Sequence, residues 1–320
     1  MAQAQLTTLV ITVLNEVATI DRLLNALNHQ KLLPTEIIIV DGGSADKTVT
    51  KIEQFVANNK PNFALKIKTL PNANRSQARN WGITHAQHNL IAITDAGCIP
   101  QPSWLKNLVK QYQVTQADII SGFFYGLPAT PFEQAVVAYT LQMPDRVNPD
   151  TFIPTTRSVL FTKEIWQQLS GFDETLDLNE DFAFFWRAKR QKASFSLAKN
   201  ALVGWLPRRT WSEFARMIYR FAQGDTQAGI IRPKVKLLFA RYLIALIALI
   251  YLLNFTSVSL PTIIFFYSSS GLIIYLLWAI NKNLKYTSQG WYWLPILQLT
   301  ADVCVIAGSI RGGFRRLFHK

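Results

Sequence analysis

The first hundred residues alternate between short apolar runs and longer segments whose apolar residues recur at helical spacing. "LTTLVITVL" (6–14), "EIIIVDGGS" (36–44), "FALKIKTL" (63–70) and "LIAITDAG" (90–97) predict strands. "ATIDRLLNALNHQ" (18–30), "DKTVTKIEQFVANN" (46–59) and "SQARNWGITHAQ" (76–87) predict the helices between them, the last with Ser76 as its N-cap. Ile37, Ile38, Ile39 and Val40 are apolar on both faces, as a parallel strand covered by helices on both sides requires. The expected class is α/β, a doubly wound and mostly parallel sheet. Ligands on such sheets bind beyond the carboxyl ends of the strands, and Thr12, Asp41 and Asp95 all fall at such ends.

Beyond residue 100 the rhythm is less regular. "SWLKNLVKQYQ" (103–113) predicts a helix, "ADIISGFFYG" (117–126) a strand, and residues 155–176 a strand, a helix and a glycine turn. "NEDFAFFWRAKRQ" (179–191) predicts a helix with its acids at the end its dipole favours. In "RTWSEFARMIYRFAQGDTQAG" (209–229), Trp211, Phe214, Ile218 and Phe221 share a face. Periodicity leaves two readings open there, a helix lying on a membrane surface or one packed in a core.

From Lys234 the pattern changes. Two nearly uncharged runs, 237–257 and 259–280, have the length that a hydrocarbon core of ~30 Å requires. Lysines at 234, 236, 282 and 285 flank their outer ends, which predicts a hairpin with both ends cytosolic. A third run, 291–310, holds Asp302 and is followed by "RGGFRRLFHK"; its length favours a span, its flanking charge an interfacial placement. The expected organisation is a catalytic α/β domain over 1–207, an amphipathic interface region over 208–233, and a membrane region over 234–320 with two to three transmembrane helices.

Charge supports that division. Of the net +13, residues before 234 carry 24 basic against 19 acidic side chains, and the remainder 9 against one. A basic tail beside apolar runs points to a lipid bilayer with an anionic surface and not to nucleic acid. Cys98 and Cys304 read as free thiols of a reducing compartment, and the N-terminus lacks a basic leader. The expected location is the inner cell membrane, multi-pass, with the α/β part in the cytosol.

Four segments carry candidate chemistry: "TVLNE" (12–16), "VDGGSADKT" (40–48), "TDAGC" (94–98) and "NEDFAFFWR" (179–187). Singly, each has a bland reading as a turn, a helix cap or a dipole partner. Their order, and their placement at strand ends, is what makes them a set. In that order they resemble the inverting family 2 glycosyltransferases of the GT-A fold, membrane-attached type, over residues 5 to 230. Thr12, Leu14 and Glu16 match the family's P-x-Y-N-E segment, with Thr for Pro and Leu for Tyr, and the resemblance implies that they border the donor nucleotide. It likewise implies that Asp41 hydrogen-bonds the base and that Arg79, in "NANRSQARNWG" (72–82), lies near the base or diphosphate. Asp95 matches the first acid of the D-x-D metal motif, whose second acid is Gly97 here, which implies Mg²⁺ or Mn²⁺. The Glu180–Asp181 pair matches the family's catalytic E-D, with Asp181 as general base.

The chemistry of sugar transfer asks for such groups. A nucleotide-sugar leaves behind a diphosphate whose charge must be stabilised, and Mg²⁺ typically takes only one or two protein carboxylates. A second carboxylate must take the acceptor proton, worth ~10²–10⁴ in rate. Arg157 and Arg220 are acceptor-side candidates; a structural ion pair accounts for Arg157 equally well. "RFAQGD" (220–225) stands where processive relatives carry Q-x-x-R-W, and its divergence favours single transfer to a lipid-linked or membrane-proximal acceptor. Two other readings compete. A sugar nucleotidyltransferase would show a glycine-rich, lysine-bearing loop after the first strand, which "TVLNEVATI" lacks. A non-catalytic membrane scaffold on a degenerate transferase fold finds its support in Gly97.

Overall fold

A computed structural model describes residues 6–59, 61, 63–149, 151–176, 178–255 and 259–318; for 255, 260 and 262–268 only the backbone is described. Two compact units emerge, one of residues 1–127 with 142–206, the other of 128–141 with 207–320.

The first unit is built on a sheet ordered β3-β2-β1-β4-β7-β6-β8-β5. Its strands are β1 (Thr7–Val13), β2 (Glu36–Asp41), β3 (Ala64–Thr69), β4 (Leu90–Ile93), β5 (Cys98–Pro100), β6 (Ile119–Gly126), β7 (Val159–Thr162) and β8 (Phe195–Trp205). The first four lie parallel, as expected of apolar runs joined by helices. The sheet then becomes mixed: β7 runs antiparallel to both β4 and β6, and β5 antiparallel to β8. Neither β5 nor β8 is foreseen by periodicity. β5 has only three residues, and β8 interleaves buried and exposed positions with a polar Lys199–Asn200 step.

Helices α1 (Ile20–Asn28), α2 (Thr48–Asn59), α3 (Arg75–Thr84), α4 (Trp104–Thr115), α6 (Lys163–Gln168) and α7 (Glu180–Arg190) belong to this unit, and α5 (Pro131–Thr140) to the other. The cap of α3 is Asn74 and not Ser76. Asn74 Oδ1 accepts from the Gln77 amide and Gln77 Oε1 from the Asn74 amide, a reciprocal box that starts the helix two residues earlier. Ser76 is instead fully buried. Close packing of α3 on the sheet depends on Gly82, where a Cβ would meet Val10 Cγ1 at 2.6 Å. The core joins Val10, Ile38, Ile91, Val159 and Phe161 to Phe172, Phe184 and Phe185. Burying such side chains contributes ~1.5–3 kcal/mol each.

The second unit contains α5, α8 (Trp211–Gln227), α9 (Pro233–Phe255), α10 (Leu260–Asn283) and α11 (Leu294–Phe318). α8 buries Phe214, Met217, Ile218 and Ala222. It packs along α11, so the packed reading of this segment holds within the unit. The approach is close because α11 offers Gly308 and Gly312, whose added Cβ atoms would sit 2.4 Å from the Tyr219 carbonyl and 2.3 Å from that of Gln223. α11 takes up the 291–310 run and continues through Arg311, Arg315 and Arg316.

Asp302, which an interfacial placement of its run would leave solvated, is 4% exposed. Its carboxylate accepts from Arg241 (2.8 Å), Tyr242 (2.9 Å), Gln298 (2.9 Å) and Tyr275. By length and composition, two helices among the described residues suffice to cross a membrane, 233–254 and 291–318. The first is almost wholly unburied, with Ile244, Ile247 and Ile250 outward; a third of the second is buried within the protein. Residues 256–258, which include the end of the 237–257 run, lie outside the described residues, and of the 259–280 run the side chains of 260 and 262–268 are not described.

Candidate active site

The site is built at the carboxyl rim of the first unit's sheet. After β1, the chain passes through Asn15 in the left-handed region (φ 56°) and is clasped to the loop after β2. Asn15 N–H donates to Ser44 Oγ (2.8 Å), Ala45 N–H to Asn15 Oδ1 (2.9 Å), Glu16 N–H to Thr48 Oγ1 (2.8 Å) and Val17 N–H to Asp46 Oδ2 (3.1 Å). Four hydrogen bonds therefore fix one rim loop to the other. Asn15, Ser44, Asp46 and Thr48 do this work; all four lie within the two motif segments, though none is among the candidate site residues.

Asp41 is 1% exposed, and its own loop satisfies its carboxylate. It accepts from the Gly43 amide (3.1 Å), the Ser44 amide (3.1 Å) and Ser44 Oγ (2.5 Å). Gly43 takes φ +96°, a conformation a side chain would strain, and a Cβ on Gly42 would lie 2.9 Å from the Ala73 carbonyl. In this geometry Asp41 shapes the loop. Thr12 is half-buried on β1, Leu14 is exposed, and Glu16 accepts from the Thr19 hydroxyl.

The centre of the site is Arg79. A helical arginine is ordinarily solvated, but this one is 2% exposed. Its Nη1 donates to Glu180 Oε1 (2.5 Å), and its Nη2 to Asp95 Oδ1 (3.3 Å) and to Thr156 Oγ1 (3.0 Å). Thr156 Oγ1 in turn donates to Asp95 Oδ1 (3.0 Å), and the Thr156 N–H points to Asp181 Oδ2 (3.4 Å). Burial by itself would lower the Arg79 pKa; Glu180, Asp95 and Asp181 outweigh it and hold the pKa above its ordinary value. Residues from α3, the end of β4, the loop before β7 and the start of α7 thus meet at one guanidinium.

The three acids are not equivalent. Glu180 is 3% exposed and committed to Arg79, whereas the Asp95 side chain is 37% exposed. Asp181 is half-buried at the first turn of α7, accepting from the Phe182 amide (2.7 Å). Asp95 Oδ2 accepts no hydrogen bond among the described residues, and a Cβ at Gly97 would have nothing within 4 Å. Asp95 is no helix cap: Ser103 stands at the N-cap of α4, and the Asp95 carbonyl accepts from the Cys98 amide (3.0 Å). Cys98 beside it is buried, and burial pushes its thiol pKa far up, making it inert.

Arg157 lies over the Phe124 ring (5.2 Å) and the Trp205 ring (5.6 Å), a cation held by aromatic faces, with no carboxylate in ion-pair distance among the described residues. Arg220 is on the exposed face of α8, in the second unit. Asp95, Arg79, Glu180 and Asp181 are thus brought together, while Thr12 and Asp41 lie at the ends of β1 and β2 and Leu14 and Glu16 in the clasped loop beyond β1. Thr156 is the residue that sequence reasoning passed over. It has no motif of its own, and only its position just ahead of "RSVLF" hints that it reaches the rim.

The sheet, mixed and mostly parallel with acids at its carboxyl rim, is GT-A-like. Residues 8–165 match the family model described as Glycosyl transferase family 2. The uncharacterized glycosyltransferase YwdF of Bacillus subtilis (strain 168) is 24% identical over 235 residues, 71% of this chain and 79% of that protein. The fold is similar to that of mannosyltransferase PcManGT from Pyrobaculum calidifontis, solved in complex with GDP-Man and Mn²⁺, with a TM-score of 0.65 at 18% identity over 98% of this chain and 87% of that one. It is also similar to S. aureus TarS 1-349 in complex with UDP-GlcNAc, with a TM-score of 0.53 at 15% identity over 98% and 92% of the two chains. The chain is a glycosyltransferase of family 2, the inverting family that its motifs resemble.

Proposed function

We propose that this enzyme moves one sugar from a nucleotide diphosphate donor to a lipid-linked or membrane-proximal acceptor at the cytosolic face of a membrane, with Asp181 as general base. The observation that carries the reading is the convergence on Arg79 of Asp95 and of the Glu180–Asp181 turn, two segments far apart in sequence that this chemistry needs side by side. The acceptor oxygen attacks the anomeric carbon from the face opposite the leaving group. The bond to the diphosphate oxygen breaks, and Asp181 takes the acceptor's proton. Glu180, sealed against Arg79, positions α7 and leaves Asp181 as the half-exposed acid of the pair. Thr12, Leu14, Glu16 and the Asp41 loop border the nucleotide, and Arg157 serves the acceptor side.

The residues fit a divalent cation held through a single protein carboxylate. Asp95 offers Oδ2, and among the described residues no group of three or more His, Cys, Asp or Glu side chains is placed to hold a metal. Bound Mg²⁺ or Mn²⁺ supplies charge to the departing diphosphate. The Mn²⁺ present with GDP-Man in the mannosyltransferase supports this assignment. The two similar structures hold a GDP-sugar and a UDP-sugar; the motif resemblance favours UDP. Membrane attachment is supported by the outward apolar residues of α9 and the basic residues that flank it.

The test is to incubate membranes carrying the protein with labelled UDP-, GDP- and dTDP-sugars, with and without Mn²⁺ or Mg²⁺. Transfer or donor hydrolysis is expected with the parent chain and is lost in Asp181→Asn and Asp95→Ala. Activity that survives both substitutions would sink the mechanism.

A further inference from the structure

Thr156 is 1% exposed and uses both of its polar groups inside the site. Its hydroxyl stands between Arg79 Nη2 and Asp95 Oδ1, at 3.0 Å from each. A guanidinium has donors only, so the hydroxyl must accept from Arg79 and send its own proton to Asp95. That pins Oδ1 and leaves Oδ2 as the oxygen without a hydrogen bond among the described residues. The amide of the same residue points to Asp181 Oδ2 at 3.4 Å. A single residue therefore links the donor-side carboxylate to the base, and among the described residues no other on the loop before β7 hydrogen-bonds both.

We infer that Thr156 is a positioning residue of the transfer reaction, setting Asp95 through its hydroxyl and registering it against Asp181 through its amide. The inference rests on the proposed function. A threonine held for packing alone would tolerate the isosteric Thr156→Val, which keeps the shape and the amide and removes the hydroxyl that donates to Asp95 and accepts from Arg79. Under the present reading that substitution leaves Asp95 Oδ1 with only the longer contact to Arg79 and leaves Arg79 Nη2 short of an acceptor.

The experiment measures kcat and KM for the donor with the full chain, on Thr156→Val, Thr156→Ala and Thr156→Ser, each also in an Asp95→Asn background, with melting temperatures alongside. Loss of a group that orients a ligand-bearing carboxylate typically costs about 10- to 100-fold. We expect that fall in kcat for valine and alanine, with donor KM within about threefold. Serine should stay within about threefold of the parent. In the Asp95→Asn background the valine change should add less than about twofold, because residues acting as a unit are not additive. Equal activity of valine and serine, or a full valine cost on top of Asp95→Asn, would overturn the inference. So would folding of the serine variant alone, which assigns Thr156 to stability. Should the valine variant not fold, the alanine–serine contrast decides in the same way. A parent chain with no transfer, or a fully active Asp181→Asn, refutes the function; an active parent, an inactive Asp181→Asn and a normal Thr156→Val refute only this inference.

Discussion

Removing the charge of Glu180 offers the sharpest test of how the site is held. Arg79 and Glu180 are each 3% exposed at the side chain and 2.5 Å apart, so neither is served by water. Breaking a buried pair by removing one partner costs about 3–5 kcal/mol, because the survivor is left as an uncompensated charge. Glu180→Gln keeps an amide oxygen for Arg79, and Asp95 still lies 3.3 Å from the guanidinium. Its cost therefore belongs at the low end, about 3 kcal/mol. Arg79→Met removes the cation that Glu180, Asp95 and Asp181 all act on, and belongs at the high end, about 5 kcal/mol. For a unit of this size, ~2–4 °C of melting temperature accompanies each kcal/mol, giving about 6–12 °C for Glu180→Gln and 10–20 °C for Arg79→Met. Thermal unfolding of the purified chain, followed by tryptophan fluorescence, reads this directly, since Trp104 is fully buried in the same unit. Shifts under about 2 °C for both, or a larger one for Glu180→Gln than for Arg79→Met, would refute the argument that Arg79 is the hub.

Three further outcomes follow from other parts of the molecule. Burial acts to raise the pKa of Glu36, but hydrogen bonds from Lys66, the Gln87 amide and Thr8 outweigh it and hold the value below the ordinary 4.5. A carboxyl lowered in the folded state contributes stability above its ordinary pKa and loses it as pH falls through the folded value; Glu36→Gln should accordingly flatten the acid limb of a stability–pH curve below pH 4.5, and an unchanged limb would refute it. Asp302→Leu strands Arg241 among apolar helices and should cost about 3 kcal/mol in detergent unfolding, with Arg241→Leu added to it recovering most of the loss. Gly97→Asp meets open space and adds a second carboxylate beside Asp95, so Mn²⁺ binding to the nucleotide-free protein should tighten about tenfold in calorimetry, or ~1.4 kcal/mol; unchanged affinity would show that residue 97 does not face the cation.

Much of the first unit was legible along the chain because its signals are local. Residues apolar on both faces, such as Ile37 to Val40, can only be satisfied as a strand covered on both sides, and the rim follows from where those runs stop. That logic puts Asp41 and Asp95 at strand ends, and the E-D pair at a helix start, from the chain alone. Periodicity reports how a residue is buried and not by what. Arg79 reads as a solvated helical arginine until α7 arrives, 101 residues later, to bury it against Glu180. Thr156 carries no pattern at all. The antiparallel insertion of β7, the membership of α5 in the helical unit, and the four donors that gather on Asp302 are likewise agreements between distant segments. Local spacing chose the elements and the kinds of group at the rim. Which carboxylate is locked to a cation and which stays partly open was decided by tertiary packing, because burial and ion pairing are properties of the assembled neighbourhood.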